Sequence, residues 1–275
     1  MRVWKYFTIV LFLSLSSYNA LAQQPNVLIR KYKWTYNQKP QVMTFRFSQN
    51  DYLYYRHLAR GQNYADFTRE DQEHAVVSAF ARAIRAKADF LKLSEWQRVN
   101  YVVAFVQGLK YVKDANDKIE YAKYPVETLV DLGGDCEDSA ILLAALLDEM
   151  GYATILISPP GHMAVGIACA DCQGSYIDYK GRKYYYTETT STGWKIGELP
   201  YEHSKNFVSK VYPIQRENGY DSYSFRKNYS SSERYDETIR SQPWVSPQGT
   251  SSKKAPLHVE LIISNDGKVR KVVKP

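Results

Sequence analysis

One stretch of the 275-residue sequence decides the fold, and it reads Gly133-Gly134-Asp135-Cys136-Glu137-Asp138-Ser139-Ala140-Ile141-Leu142-Leu143-Ala144-Ala145-Leu146-Leu147. The two glycines and Asp135 break the preceding structure and supply a turn with an N-cap. The residues that follow are apolar nearly all round, which predicts a helix buried on most sides and ended at Gly151. Cys136 therefore opens a buried helix.

Strand-like segments follow this helix, at residues 153–158, 163–168, 175–179 and 183–189. Two amphipathic helices are predicted before it, from about Arg69 to Phe90 and from Ser94 to Leu109, and Pro125 starts a short one over 126–130. The sequence therefore predicts an α+β fold in which the Cys-bearing helix packs on an antiparallel β-sheet.

The first 22 residues have the pattern of a secretory signal peptide: basic Arg2 and Lys5, an apolar run, and the small-residue end Ala20-Leu21-Ala22. The apolar run is about half of the ~20 residues that a membrane-spanning helix needs, and no later stretch is long enough either. We expect a mature chain without a transmembrane segment, located outside the cytoplasm, in the periplasm or secreted.

Four further segments are predicted after residues 1–22. They are an N-terminal β-hairpin extension (23–68), a catalytic core (69–201), a poorly ordered or wrapping segment (202–256) and a C-terminal β-hairpin (257–275). The wrapping segment is rich in Ser, Tyr, Arg, Asn and Gln and poor in aliphatic residues. Asn265-Asp266-Gly267 is the turn signal of the last hairpin, and two strands alone must dock on something to be stable.

The charge pattern argues against a nucleic-acid partner. The formal net charge is +7, and removal of Arg2 and Lys5 with the signal lowers it to +5. Basic residues are scattered among acidic ones, without a long Lys/Arg run or a nucleic-acid motif. We expect a peptide or protein substrate, with a cell-envelope component among the candidates.

Three cysteines are an odd number for an oxidising compartment, so one is left over. Cys169 and Cys172 are three residues apart and predicted to form a disulfide, with a reduced structural pair as the alternative. A metal site at this Cys-x-x-Cys would need a second ligand pair nearby, which the sequence lacks. We expect no metal and no cofactor, and Cys136 is left as the free thiol.

Cys136 needs a positive partner to react, because the thiolate is the nucleophile and Asp135, Glu137 and Asp138 disfavour it. An imidazole supplies that charge and later protonates the leaving amine. His162 is the candidate, since it opens a strand after a tight turn, 26 residues after Cys136. The other histidines lie in less suitable contexts: His57, His74, His203 and His258.

An acid must orient the imidazole, and the strand order decides which one. If the 183–189 strand pairs directly and antiparallel with the His162 strand, Glu188 lies opposite His162. If the strands form a strict meander, Asp178 lies at the His162 end instead. Spacing alone leaves the two nearly even.

Three blocks of the sequence resemble the transglutaminase-like superfamily, in its bacterial exported form. They are the Cys136 stretch quoted above, Gly161-His162-Met163-Ala164-Val165-Gly166, and Thr187-Glu188-Thr189-Thr190 at the end of an aromatic strand, and they span about residues 95 to 200. The resemblance implies a papain-like core and a Cys136, His162 and Glu188 triad, which favours Glu188 over Asp178. Glutamate in place of the usual aspartate and the long interval after His162 are departures. The flanking β-domains and calcium sites of animal-type transglutaminases are not evident.

The resemblance implies a thiol enzyme that attacks peptide or side-chain amides through a thioester. Hydrolysis, as by a cysteine peptidase or amidase, is preferred over amine transfer because cross-linking architecture is not evident. Two alternatives remain. Cys136 is an inert helix-cap cysteine in one, and in the other the chain is a non-catalytic envelope module that binds peptide or glycan and retains the triad cleft.

Overall fold

A computed structural model describes residues 26–114, 120–200 and 210–214 of the chain, and the backbone of two further strands at 258–263 and 269–274. The predicted signal peptide lies outside the described residues, and so does most of the predicted wrapping segment. Within those ranges, no helix combines the length and the apolar character that crossing a membrane requires.

The chain alternates short groups of helices and strands. The helices of the described residues are α1 (Gln49–His57), α2 (Val76–Phe90), α3 (Glu95–Gln107), α4 (Pro125–Asp131) and α5 (Cys136–Glu149). The strands are β1 (Val27–Tyr36), β2 (Lys39–Ser48), β3 (Lys110–Tyr111), β4 (Gly133–Gly134), β5 (Thr154–Ser158), β6 (Ala164–Ala168), β7 (Tyr176–Tyr179), β8 (Arg182–Thr187), β9 (Lys210–Pro213), β10 (His258–Ile263) and β11 (Val269–Lys274).

The main sheet has the strand order β7-β8-β6-β5-β9, and every neighbouring pair in it is antiparallel. Helix α5 packs on one face, where it shares a buried cluster with Leu156, Val165 and Ile167. Residues 140–147 of α5 are buried all round, as the apolar run predicts. Burial of each leucine contributes about 1.5–3 kcal/mol. The predicted α+β class, with the Cys-bearing helix on an antiparallel sheet, is confirmed.

The N-terminal hairpin belongs to the same core. Asn37 and Gln38 both have positive φ, which is the backbone of a two-residue hairpin turn. Tyr32 of β1 meets Phe80 of α2 and Phe105 of α3 edge-on, at ring-centroid distances of 5.3 and 5.4 Å. Residues 26–48 thus pack against the helices that support α5.

Helix α2 begins later than the apolar pattern suggested. Two short 3-10 turns, Tyr64–Thr68 and Gln72–His74, occupy the region before it. The Glu70 carboxylate accepts hydrogen bonds from the backbone N–H groups of Val77 and Ser78, and so caps the start of α2. Side-chain capping from six residues upstream has no local sequence signature, which explains the difference.

The C-terminal strands β10 and β11 pair antiparallel with each other. The backbone of β10 lies against β2 and α2. The predicted hairpin thus contacts the core on the side of the N-terminal hairpin.

Candidate active site

Cys136 is the first residue of α5, and two glycines control the approach to it. Gly133 and Gly134 form β4, which pairs in parallel with Lys110 and Tyr111 of β3. A Cβ atom on Gly133 would lie 2.1 Å from the carbonyl oxygen of Lys110, so only glycine allows this close backbone pairing. Cys136 is consequently held, half-buried, at the start of the central helix.

His162 and Glu188 meet because β8 pairs directly with β6. The register places Val165 opposite Thr187, so both strands bring their flanking residues to the same edge of the sheet. His162 Nε2 lies 2.9 Å from Glu188 Oε2. Asp178, the other candidate acid, pairs with Lys183 on the far side of β8, and its carboxylate accepts from the Gly181 N–H in the β7–β8 turn.

Five donors surround the Glu188 carboxylate. Oε2 accepts from His162 and from the Tyr186 hydroxyl at 3.0 Å. Oε1 accepts from the N–H groups of Thr189 and Thr190, each at 3.0 Å, and from the Thr190 hydroxyl at 2.7 Å. Burial alone would raise the pKa of Glu188, but the hydrogen bond and charge of His162 and the Thr190 donors lower it to about 2.

The ionised carboxylate also determines which imidazole nitrogen carries the proton. A carboxylate only accepts hydrogen bonds, so His162 Nε2 must be the protonated nitrogen in this pair. Nδ1 is then the ring nitrogen that can exchange a proton with a thiol.

A neighbouring side chain, Gln107 at the end of α3, holds the loop after β8. Its Nε2 donates to the carbonyl oxygens of Glu188 at 2.9 Å and Trp194 at 3.0 Å. Gln107 is buried, so these bonds satisfy a group that would be costly to leave unpaired. The only sequence signal for this role was a polar residue at the end of an apolar helix pattern, and sequence reasoning missed it.

The Cys136 thiol is neutral in this arrangement. Its Sγ donates to Glu137 Oε2 at 3.4 Å. Burial, followed by the charge and hydrogen bond of Glu137 and the charge of Asp135, raises the pKa of Cys136 to about 12, although a hydrogen bond from the Met163 N–H opposes the shift. The Met163 contact also brings the residue adjoining His162 to the sulfur.

Acidic oxygens cluster beside the thiol. One carboxylate oxygen each from Asp114, Asp135 and Glu137 lies within 4.8 Å of the others. Asp135 Oδ1 and Glu137 Oε1 are buried and have no hydrogen-bond partner among the described residues. Burial, followed by the charges of Asp135 and Asp138, raises the pKa of Glu137 to about 9.

Hard divalent cations prefer such a set of carboxylate oxygens, so these residues fit a cation site. Sequence reasoning identified Asp135 and Glu137 only as obstacles to the thiolate and expected no metal. It missed Asp114, which lies 22 residues before Cys136 and is brought near by the chain after β3.

The remaining cysteines are bonded to each other. Cys169 and Cys172 form a disulfide with their Cα atoms 5.6 Å apart, directly after β6. This is the opposite end of β6 from His162. Cys136 is the free cysteine.

Comparison with known proteins gives structural similarities alone: no family model and no curated protein matches the sequence. Legionella pneumophila LapG in a calcium-bound form is 19% identical, with 58% of this chain and 89% of that chain covered and a TM-score of 0.30. A Cytophaga hutchinsonii protein described as a "putative cysteine protease" is 11% identical, with coverages of 68% and 73% and a TM-score of 0.32. A "TGase" is 14% identical, with coverages of 80% and 60% and a TM-score of 0.32.

Proposed function

We propose that the chain is an exported thiol enzyme of the transglutaminase-like kind that attacks peptide or side-chain amide bonds. Cys136 is the nucleophile, His162 the acid and base, and Glu188 the acid that orients the imidazole. One observation carries the proposal: His162 Nε2 lies 2.9 Å from Glu188 Oε2, directly beside the residue whose N–H bonds to the Cys136 sulfur.

The reaction proceeds in two halves. His162 Nδ1 takes the thiol proton, the thiolate of Cys136 attacks the amide carbonyl carbon, and a carbon–sulfur bond forms. The imidazolium then gives its proton to the amide nitrogen, the carbon–nitrogen bond breaks, and an amine leaves behind a thioester. The first backbone N–H of α5, at Cys136, is a suitable donor for the tetrahedral oxyanion.

Water is the preferred acceptor of the acyl group in the second half of the reaction. It attacks the thioester carbon while His162 takes one of its protons. The carbon–sulfur bond then breaks, the carboxylic acid leaves, and His162 returns the proton to the Cys136 sulfur.

A divalent cation at Asp114, Asp135 and Glu137 belongs to the same proposal. LapG is calcium-bound, and this chain offers its own grounds: three clustered carboxylates, two of them with buried and unpartnered oxygens. A bound Ca²⁺ would supply positive charge beside Cys136 and take up the negative charge that holds the pKa of its thiol high. Because Glu137 must lose its proton to act as a ligand, binding should strengthen as pH rises towards about 9.

The test is to trap the thioester. The native protein is incubated with a cell-envelope extract in Ca²⁺ and, separately, in EDTA, and its intact mass is read after an acid quench. We expect an acyl adduct on Cys136 in Ca²⁺, and none with Cys136→Ala or with Asp114→Asn. An adduct that persists in Cys136→Ala would contradict the assignment of the nucleophile.

A second candidate, a non-catalytic module that binds envelope peptide or glycan, is favoured by one observation: the Cys136 thiol bonds to Glu137 and its pKa is raised to about 12. Cys136→Ala separates the two functions. Retained binding to envelope material and retained cellular function in this variant would favour the module, whereas their loss in a folded variant favours catalysis.

Export is part of the proposal and has its own test. Cleavage after Ala22 would leave Gln23 as the first residue of the mature chain. Mass spectrometry of protein from the periplasm or medium should find this N-terminus. Recovery only of uncleaved chain from the cytoplasm would contradict it.

A further inference from the structure

The Glu188 carboxylate oxygen that faces His162 has a second donor. The Tyr186 hydroxyl donates to Oε2 at 3.0 Å, and His162 Nε2 lies 2.9 Å from the same atom. Tyr186 is 1% exposed, so no bulk water competes for this contact. A strand residue and a residue of the segment before β6 therefore share one oxygen.

The strand geometry explains why a tyrosine can do this. Tyr186 is in β8 opposite Gly166 of β6, and Glu188 follows two residues later. Residues two apart on a strand project to the same face, so the phenol and the carboxylate lie side by side. The extended side chain of tyrosine is long enough to reach the oxygen from the strand itself.

The length of the glutamate side chain makes such a contact useful. Glu188 has one more rotatable bond to restrain than an aspartate would have. Thr189 and Thr190 hold Oε1, whereas Oε2 has His162 and Tyr186 as its described donors. Loss of the phenol would leave Oε2 with the imidazole alone among these donors.

We propose that Tyr186 is a positioning residue of the triad, which acts on His162 through Glu188 by holding Oε2 and drawing part of its negative charge. The hydrogen bond from His162 is thereby kept weaker than a lone carboxylate oxygen would make it. The imidazole then releases its proton to the leaving amine more readily. This inference rests on the proposed function for its catalytic consequence, but the hydrogen-bond arrangement does not depend on it.

The described side chains that share Glu188 Oε2 are His162 and Tyr186. Substitution of Tyr186 by phenylalanine changes one of these groups and keeps the ring. A shift in His162 can then be assigned to the lost hydroxyl.

The test is proton NMR of the full chain with Tyr186→Phe, held at one Ca²⁺ concentration throughout. We expect the His162 Nε2 proton to move downfield, because Oε2 becomes a stronger acceptor. In turnover assays kcat should fall with KM nearly unchanged. Tyr184→Phe, two residues earlier on β8, is the matched control and should leave the resonance in place.

A second variant should shift the His162 Nε2 proton resonance in the opposite direction. Fluorotyrosine introduced at position 186 makes the phenol a stronger donor, so the His162 Nε2 proton should move upfield. An unchanged resonance in both variants, or shifts in the reverse directions, would overturn the proposal. The spectra need no substrate, so the predicted shifts with an unreactive Cys136 would support this role of Tyr186 and count against the proposed enzyme.

Discussion

The hydroxyl oxygens of Ser139 and Thr189 lie 2.9 Å apart and join the Cys-bearing helix to the loop that carries Glu188. Ser139 Oγ donates to the backbone carbonyl of Asp135 at 2.8 Å, so the Thr189 hydroxyl is the donor to Ser139. One turn after the nucleophile, the helix is thus tied to the residue next to the orienting acid.

This contact predicts coupled stability effects. Ser139→Ala and Thr189→Val should each destabilise the protein by about 1–2 kcal/mol, because each removes a buried hydrogen-bonding group. The double variant should lose less than the sum, by about 0.5–1 kcal/mol. Urea unfolding of the four proteins measures this coupling. Strictly additive effects would show that the two hydroxyls do not interact.

Acid should lower the free energy of unfolding because Glu188 becomes protonated. The pKa of Glu188 is lowered to about 2 in the folded chain, from an ordinary value of 4.5. A lowered pKa stabilises the fold above the unfolded value and loses that effect as pH falls through the folded one. Between about pH 6 and pH 3, the wild-type protein should therefore lose about 2 kcal/mol more than Glu188→Gln.

Denaturant unfolding at several pH values tests this dependence. Asp178→Asn, which changes the other candidate acid on the neighbouring strand β7, should follow the wild-type pH dependence. A Glu188→Gln variant with the same pH dependence as the wild-type protein would contradict the hydrogen-bonded, ionised state of Glu188.

In the absence of a cation, removing the charge of Glu137 should make the Cys136 thiol more reactive. Burial and then Glu137 hold the pKa of Cys136 near 12, so Glu137→Gln should lower it. In EDTA at about pH 10, iodoacetamide should modify Cys136 about tenfold faster in this variant. Added Ca²⁺ should accelerate the modification of Cys136 in the wild-type protein. It should not do so in the variant, which lacks the Glu137 carboxylate as a cation ligand. Glu73→Gln, a change of an exposed carboxylate, is the control, and equal rates in all three proteins would refute the electrostatic explanation.

Gly133, two residues before Asp135, should tolerate no side chain. A Cβ atom at Gly133 would meet the Lys110 backbone at 2.1 Å, and backbone cannot rotate away as a side chain can. Gly133→Ala should destabilise the protein by about 2–3 kcal/mol and move Cys136. Gly61→Ala is the control, because no atom lies within 4 Å of its added Cβ. Thermal unfolding compares them, and similar Tm values would contradict the tight β3–β4 pairing.

Sequence reasoning was most successful where the signal was local. The unbroken apolar run from Ala140 to Leu147 is incompatible with an exposed element, so α5 and its burial were predictable. The pairing of β8 with β6 was not, since a meander satisfied the same spacing. Packing distinguishes the two strand orders. Tyr184 and Tyr186 of β8 are buried, as in an inner strand, whereas Tyr176 and Asp178 of β7 are exposed, as in an edge strand.

The residues that were missed share a physical feature. Gln107, Asp114 and Tyr186 act through contacts made by the folded chain, and none has a motif of its own. Gln107 is 81 residues from the Glu188 carbonyl it contacts. A single sequence contains no record of such long-range contacts, so only the three-dimensional arrangement identifies them.

The most direct test is the rate at which iodoacetamide modifies Cys136 at neutral pH, in Ca²⁺ and in EDTA, for the wild-type protein and His162→Gln. If Cys136 and His162 form an activated pair, the Ca²⁺-loaded wild-type protein should react about tenfold or more faster than a free model thiol. His162→Gln, checked for folding by circular dichroism, should lose that advantage. Equal rates for the two proteins in both conditions, no faster than the model thiol, would contradict the proposed nucleophile.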